Sequence, residues 1–421
     1  MNGTAPKTEE VSLAEGQETK IAFTNSCTFT TRIRRNFVLY QALLGFYERA
    51  DDRLLNWYRR LVLFVMLATA VRRSTQITLL PTEHNHFSPS EIMFDPRVVL
   101  SLTRFVFIVA GLNGTLMFTR VHRKRNIFLE QIDLAMEGDD SLLPLERAKR
   151  MTNRLILINV TLSVTVGLLD ATWKLGLFTG KAPWMPPLIV RSLWFLPLEV
   201  YVVLICQCGI TIFCTDFFFS CTYIRYVIAN ICKRMDKDFR SSPPLVKLQY
   251  LEEIQTHHHH LVLARNKLED CYSFSVFCFY SLAIPSVCFL AYVAYRNAGS
   301  QPGIVVGMGV WIMTIVTVLL ILSLPAFHLT EEGENIATSA FNLYTTSLKG
   351  EDDPRIASQM LILISQIQSN KMTISAYNYF PMNRGILLTM FSSIFTYFLI
   401  LVQFSEGNER PPAYCNCSEM K

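Results

Sequence analysis

Apolar residues along this chain gather into long runs separated by polar, charged loops. Seven runs approach or exceed the roughly 20 residues that a helix needs to cross a hydrocarbon core. They cover residues 61–80, 98–118, 155–178, 188–219, 272–295, 304–327 and 386–404. Arg72 and Arg73 interrupt the first, and the fourth runs on as helix past its apolar part. A further apolar stretch, 36–47, is too short to cross and reads as an interfacial or cytosolic helix before the first span. The pattern predicts an all-α, polytopic membrane protein with seven transmembrane helices.

Composition narrows the class. Hydrophobic residues make up 51% of the 421 residues and charged residues only 17%, against roughly 25% charged in soluble domains. That excludes a disordered chain, a coiled coil and a nucleic-acid-binding domain, and argues against a soluble enzyme. The net charge of +5 is too small for a polyanionic partner, so the placement of charge matters more. The first 35 residues are polar and lack the basic-then-apolar order of a cleaved signal. The first span is therefore expected to act as an uncleaved anchor. Arg120, Arg123, Lys124 and Arg125 follow the second span, and Lys233, Arg234, Lys237 and Arg240 follow the fourth. The opposite loops hold only Arg97, Lys181 and Arg296. The positive-inside rule then puts the N-terminus in the cytosol and the C-terminus outside.

The expected organisation is a cytosolic tail and pre-membrane helix (1–60), six spans (61–327), a cytosolic helical anchor (328–383), the last span (384–404) and an extracellular tail (405–421). A seven-helix G-protein-coupled receptor has its N-terminus outside, and that family's Asp-Arg-Tyr and Asn-Pro-x-x-Tyr signatures are not found at the expected span ends. No repeat of spans supports a transporter. These two remain the alternative readings.

The cytosolic segments carry helix-spaced apolar stripes. Leu248, Leu251, Ile254, Leu261 and Leu268 form one, and Ile356, Met360, Leu363, Ile364 and Ile367 another. Such faces need a partner, either each other or a second subunit. Cys206, Cys208, Cys214, Cys221, Cys278 and Cys288 lie in apolar stretches as small hydrophobes. Cys415 and Cys417 lie in the polar C-terminal tail, beside a glycosylation sequon at Asn416. The run His257–His260 reads as a solvated cytosolic helix, since a helical His pair alone is a poor metal site. With no phosphate loop, Ser-His-Asp set or HExxH, no enzyme site, metal or cofactor is expected.

Ionisable and aromatic residues toward the outer ends of the spans are the ligand candidates. They are Asp170, Trp173 and Lys174 in the third span, and Arg191, Trp194 and Glu199 in the fourth. Tyr292 lies in the fifth, Trp311 in the sixth and Arg104 in the second, near Asn113. They form either an aromatic belt with snorkelling charges or a pocket for a small organic ligand between spans two to six.

The last span ends Thr396-Tyr397, five hydrophobic residues, Gln403-Phe404. Thr396, Ile400, Gln403 and Phe404 share one helical face, with Tyr397 and Leu401 beside it. That face serves either helix packing or a pore. The ending, with the approach through 374–388, resembles the C-terminal signature of insect gustatory receptors. The specific match covers 374–404, and the rest agrees by topology. The resemblance implies a ligand-gated cation channel for small-molecule tastants in the plasma membrane of sensory neurons. It implies a homotetramer, or a heteromer with related subunits, embedded in membrane lipid. In that reading the last helices surround the pore, Phe404 is a hydrophobic gate, and Gln403 pairs with a neighbouring helix in one state or faces the ion path in another. Phe398 stands where the sugar-sensing branch often has Glu, a departure from that branch.

Overall fold

Where no water is present, a backbone satisfies its polar groups by becoming helix, and helices dominate the computed structural model. It describes residues 53–79, 96–135, parts of 146–165, 195–241, 243–299, 302–349 and 354–408. In chain order the helices are α1 (Arg53–Leu79), α2 (Pro96–Ala135), α3 (Phe195–Ser241), α4 (Pro244–Arg296), α5 (Pro302–Lys349), α6 (Pro354–Ser369) and α7 (Arg384–Asn408). Between α6 and α7 lies a small antiparallel hairpin of β1 (Ser375–Ala376) and β2 (Phe380–Pro381), a local departure from the all-helical expectation.

Among the described residues four helices, α3, α4, α5 and α7, are long and apolar enough to cross a membrane. The first two predicted spans correspond to the shorter apolar stretches Arg60–Val71 and Leu102–Met117. Most of the third predicted span, the stretch 36–47 and the tail beyond 408 lie outside the described residues.

α3, α4 and α5 contain 47, 53 and 48 residues. At 1.5 Å per residue each is about 70–80 Å long, more than twice a ~30 Å hydrocarbon core. Their excess length forms a helical extension, closed by α6. All five apolar positions of the α6 stripe, Ile356, Met360, Leu363, Ile364 and Ile367, are buried, against α4 and α5. The α4 stripe answers with buried Leu251, Ile254, Leu261 and Leu268. The two stripes therefore serve one core within the chain. Gln255 of α4 donates to the Gln359 side chain of α6 at 3.3 Å, and Arg225 of α3 pairs with Glu332 of α5 at 3.3 Å.

The His run corrects the expectation of a solvated helix. His257 and His258 are buried, while His259 is exposed and His260 meets Gln131 of α2 at 3.2 Å. α4 packs along α2 here, so one side of the run turns inward. Burial, and secondarily the neighbouring His259, lower the His258 pKa to about 4. Its Nε2 makes no hydrogen bond.

Within the apolar bundle α2 and α3 cross at glycines. A methyl group on Gly111 would lie 2.6 Å from the Cys206 Cα, and one on Gly209 would lie 2.8 Å from the Gly111 carbonyl oxygen. Small residues of this kind let membrane helices approach closely. Buried side chains then tie the helices together. Tyr272 donates to Asp216, Tyr280 meets Ser323 at 2.5 Å, and Ser275 donates to Asn113 at 3.2 Å.

Two measurements test this packing. Gly209→Val must push α2 from α3, so the purified protein is expected to lose monodispersity, or melt at least about 5 °C lower. An unchanged melting curve contradicts the close crossing. The second concerns pH. The unfolded chain takes up a proton at His258 near 6.5, while the folded chain resists until about 4. Stability should fall as pH drops through that window and then level, with His258→Gln flattening that part of the profile. An identical profile in the variant removes His258 as the cause.

Candidate functional site

A partly open cleft lies among α2, α3, α4 and α5. Thr103, Val106, Phe107 and Ala110 of α2 recur at helical spacing and present one face to it. α3 contributes Gln207 and Ile210, and α4 contributes Phe279, Leu282, Ala283 and Ser286. α5 closes it with Trp311, Thr314, Ile315 and Val318. Phe107 and Trp311 meet edge to face at 4.8 Å. The walls are otherwise apolar, with no charged side chain among the lining residues. An apolar cavity with a few fixed polar groups suits a small organic ligand.

Two of the polar walls are internally engaged. Ser286 donates to the Leu282 carbonyl at 2.7 Å, and Thr314 to the Val310 carbonyl at 2.9 Å. Gln207 is 1% exposed, and its side-chain carbonyl oxygen makes no hydrogen bond.

Trp311 and Ile315 face two ways. They line the cleft and also pack on a second cluster of Leu290, Tyr292, Val293 and Met308, which Leu401 of α7 joins. α4 likewise carries the cleft residues and the seat of α7. The Cys288 thiol points to the Ile394 carbonyl at 3.6 Å, and Tyr295 meets Phe398 edge to face at 6.2 Å.

α7 itself is scarcely covered. Met390 is its single buried side chain among the described residues. The rest of its circumference has two kinds of surface. Thr389, Ser392, Thr396, Ile400 and Gln403 form a mostly polar exposed stripe at helical spacing. Leu388, Phe391, Phe395 and Leu399 form a separate apolar stripe, with Leu388 75% and Phe395 62% exposed. Thr389, Ser393 and Thr396 turn their protons to carbonyls one turn back, at 3.0, 2.8 and 2.9 Å.

The base of α7 is held firmly. Asn383 caps it by accepting from the Ile386 N–H at 3.1 Å. Arg384 pairs with Glu331 of α5 at 3.1 Å and lies 4.3 Å over the Phe327 ring. The hairpin turns through left-handed Tyr377 and Asn378, with φ of 52° and 60°, and Ser375 donates to Glu269 of α4.

The structure brings some sequence-derived candidates together and separates others. Trp311 lines the cleft. Tyr292 is buried in the adjoining cluster rather than at a surface belt, and Arg104 is half-buried one position from Thr103 of the wall. Thr396, Tyr397, Ile400 and Gln403 are exposed on α7, and Tyr397 and Leu401 are split, since only Leu401 packs on the α4 cluster. Phe404 lies in the α7 helix, with its side chain outside the described residues. Asp170, Trp173, Lys174, Arg191 and Trp194 also lie outside them, as does the side chain of Glu199. Gln207 and the Phe279–Ser286 wall are not among the sequence-derived candidates, because neutral residues in an apolar run carry little signal. The amide of Gln207 was the exception.

The comparisons agree with this architecture. The chain is 28% identical over 404 residues to Gustatory receptor family protein 3 of Caenorhabditis elegans, covering 93% of this chain and 90% of that one. It is 29% identical over 361 residues to High-energy light unresponsive protein 1 of the same organism, covering 84% and 80%. Among solved structures, the insect olfactory receptor OR5 from Machilis hrabei superposes with a TM-score of 0.71 at 14% identity, covering 90% of this chain and all of that one. The same receptor in complex with eugenol superposes with a TM-score of 0.70, also at 14% identity, covering 89% and 99%. Residues 33–408 match the family described as 7tm Chemosensory receptor. The chain is a multi-pass membrane protein and belongs to that chemosensory receptor family.

Proposed function

We propose that this receptor is a ligand-gated, non-selective cation channel that detects small-molecule tastants in the plasma membrane of sensory neurons. Four subunits, identical or related, surround a pore lined by α7. The chain crosses the membrane seven times, with its N-terminus and the α6 extension in the cytosol and its C-terminus outside.

The observation that carries this reading is the two-faced surface of α7. Thr389 and Thr396 satisfy their protons on their own helix, but hydrocarbon offers no partner to the exposed Gln403 amide on the same stripe. An aromatic and aliphatic stripe beside it suits lipid or a neighbouring subunit. Together they fit a helix standing between water and an apolar surrounding. Thr389, Ser392, Thr396 and Gln403 then face the ion path, and Phe404 narrows it near the outer end as a dewetting gate.

The cleft supplies the control. Its walls share α4 and Trp311 with the seat of Leu401, so a ligand that packs differently in two arrangements of Trp311 biases α7. It opens the pore only through greater affinity for the open arrangement. The eugenol complex of the structural relative supports a small aromatic ligand. The name of one sequence relative refers to high-energy light, so the stimulus panel includes short-wavelength illumination.

The test needs no known ligand. Phe404→Ala is expected to raise resting current about tenfold, equivalent to ~1.4 kcal/mol removed from closed-state preference. In that background Ser392→Cys and Thr396→Cys should make the current sensitive to a charged, membrane-impermeant thiol reagent. Phe391→Cys and Phe395→Cys should not. Sensitivity confined to the aromatic pair would place the pore on the other face. Signalling that disappears on blocking G proteins, with no current, would select the G-protein-coupled reading, and accumulation of substrate would select a transporter.

A further inference from the structure

We propose that the cleft selects neutral aromatic molecules bearing a hydrogen-bond donor, and that the side-chain carbonyl of Gln207 is the group that reads the donor. This rests on the cleft being the ligand site.

Charge is excluded first. No Asp, Glu, Lys, Arg or His lines the cleft, and an ion there would lose its hydration without a counter-charge. Aromatic shape follows from Phe107, Phe279 and Trp311 on three different helices, which offer ring faces and edges to a flat guest.

The polarity of the guest follows from where the protons go. Ser286 and Thr314 give theirs to carbonyls of their own helices. Their oxygens therefore present only lone pairs to the cleft. Gln207 adds a carbonyl oxygen that is buried and makes no hydrogen bond. Leaving such an acceptor dry is unfavourable, and a guest that donates to it recovers the missing bond. A guest without a donor leaves that oxygen unpaired.

Gln207 projects from a closely packed stretch of backbone. It is flanked by Cys206, which touches Gly111, and by Gly209, which touches Gly111 and Thr115. The close α2–α3 crossing thus fixes the backbone from which the amide projects, and a site built to pair a donor rejects the analogue that lacks one.

The test uses eugenol, a phenol, and its O-methyl ether, which keeps the ring and side chain but has no donor. Binding to the purified full-length receptor is measured by equilibrium dialysis. Eugenol should bind about tenfold more tightly than the ether, the worth of one neutral hydrogen bond. In Gln207→Leu the two should bind alike, with the ether's affinity kept. Gln207→Met repeats the measurement if the leucine variant fails to fold. Ala283→Phe, which fills the cleft, should abolish binding of both. Equal affinities in the wild type, a preference that survives at Gln207→Leu, binding that survives Ala283→Phe, or no saturable binding of eugenol would each overturn the proposal. Because the readout is binding, a receptor that discriminates the pair but passes no current removes the channel reading and leaves the selectivity standing.

Discussion

The close crossing of α2 and α3 is the contact on which the other placements depend. In lipid no hydrophobic effect presses helices together, so association relies on close packing and hydrogen bonds. Gly111, Gly114 and Gly209 leave no room for even a methyl group. Once that crossing is set, the α2 face from Thr103 to Ala110 and the α3 residues Gln207 and Ile210 can only point into one space. α4 then packs along α2, and α5 along α3. The cleft is what remains among the four.

α4 links the cleft to α7 more directly than any other described element. Phe279 to Ser286 line the cleft, and Cys288 to Tyr295, one or two turns on, seat α7. A change of ~1.4 kcal/mol in that seat alters an equilibrium tenfold. In the proposed assembly four subunits act on one gate, so modest differences in ligand contact add up. Pro285 sits in the last turn of the cleft group, just before Cys288. It has no N–H to give to the carbonyl four residues back, so the helix is locally weakened where the two functions meet.

What was legible in the sequence was periodicity. The α6 stripe and the α4 positions Leu251, Ile254, Leu261 and Leu268 were readable because a 3.6-residue repeat of apolar side chains has one structural meaning. The ending of the last span identified the family for the same reason, since few patterns fix polar residues at set places in an apolar helix. The His run failed because polarity reports a preference for water, not the outcome when a neighbouring helix such as α2 covers that side. The cleft was hidden for a different reason. Ionisable residues stand out in a span, and Asp170, Lys174 and Arg191 lie outside the described residues. The cleft, by contrast, is walled by Val, Ile, Leu, Phe, Ala, Thr, Ser and one Gln, with Trp311 the one wall residue the sequence marked. An amide inside an apolar run singled out Gln403, and the same signal stood at Gln207.

The attachment of α7 gives it a direction of movement. Its base is held by a capped N-terminus, the Arg384–Glu331 pair, the Phe327 ring and a hairpin tied to Glu269. Toward its other end the described contacts are apolar, Phe398 on Tyr295 and Leu401 on the Leu290 cluster. Hydrogen bonds and ion pairs hold direction and distance, whereas apolar contacts tolerate sliding with little loss. A force delivered through Trp311 therefore meets least resistance at the end that carries Gln403 and Phe404. In the proposed channel the helix would pivot about its base, with the widest displacement at the end assigned to the gate. A gate at the base would have to break several polar contacts to open, whereas one at the far end need only exchange one apolar packing for another.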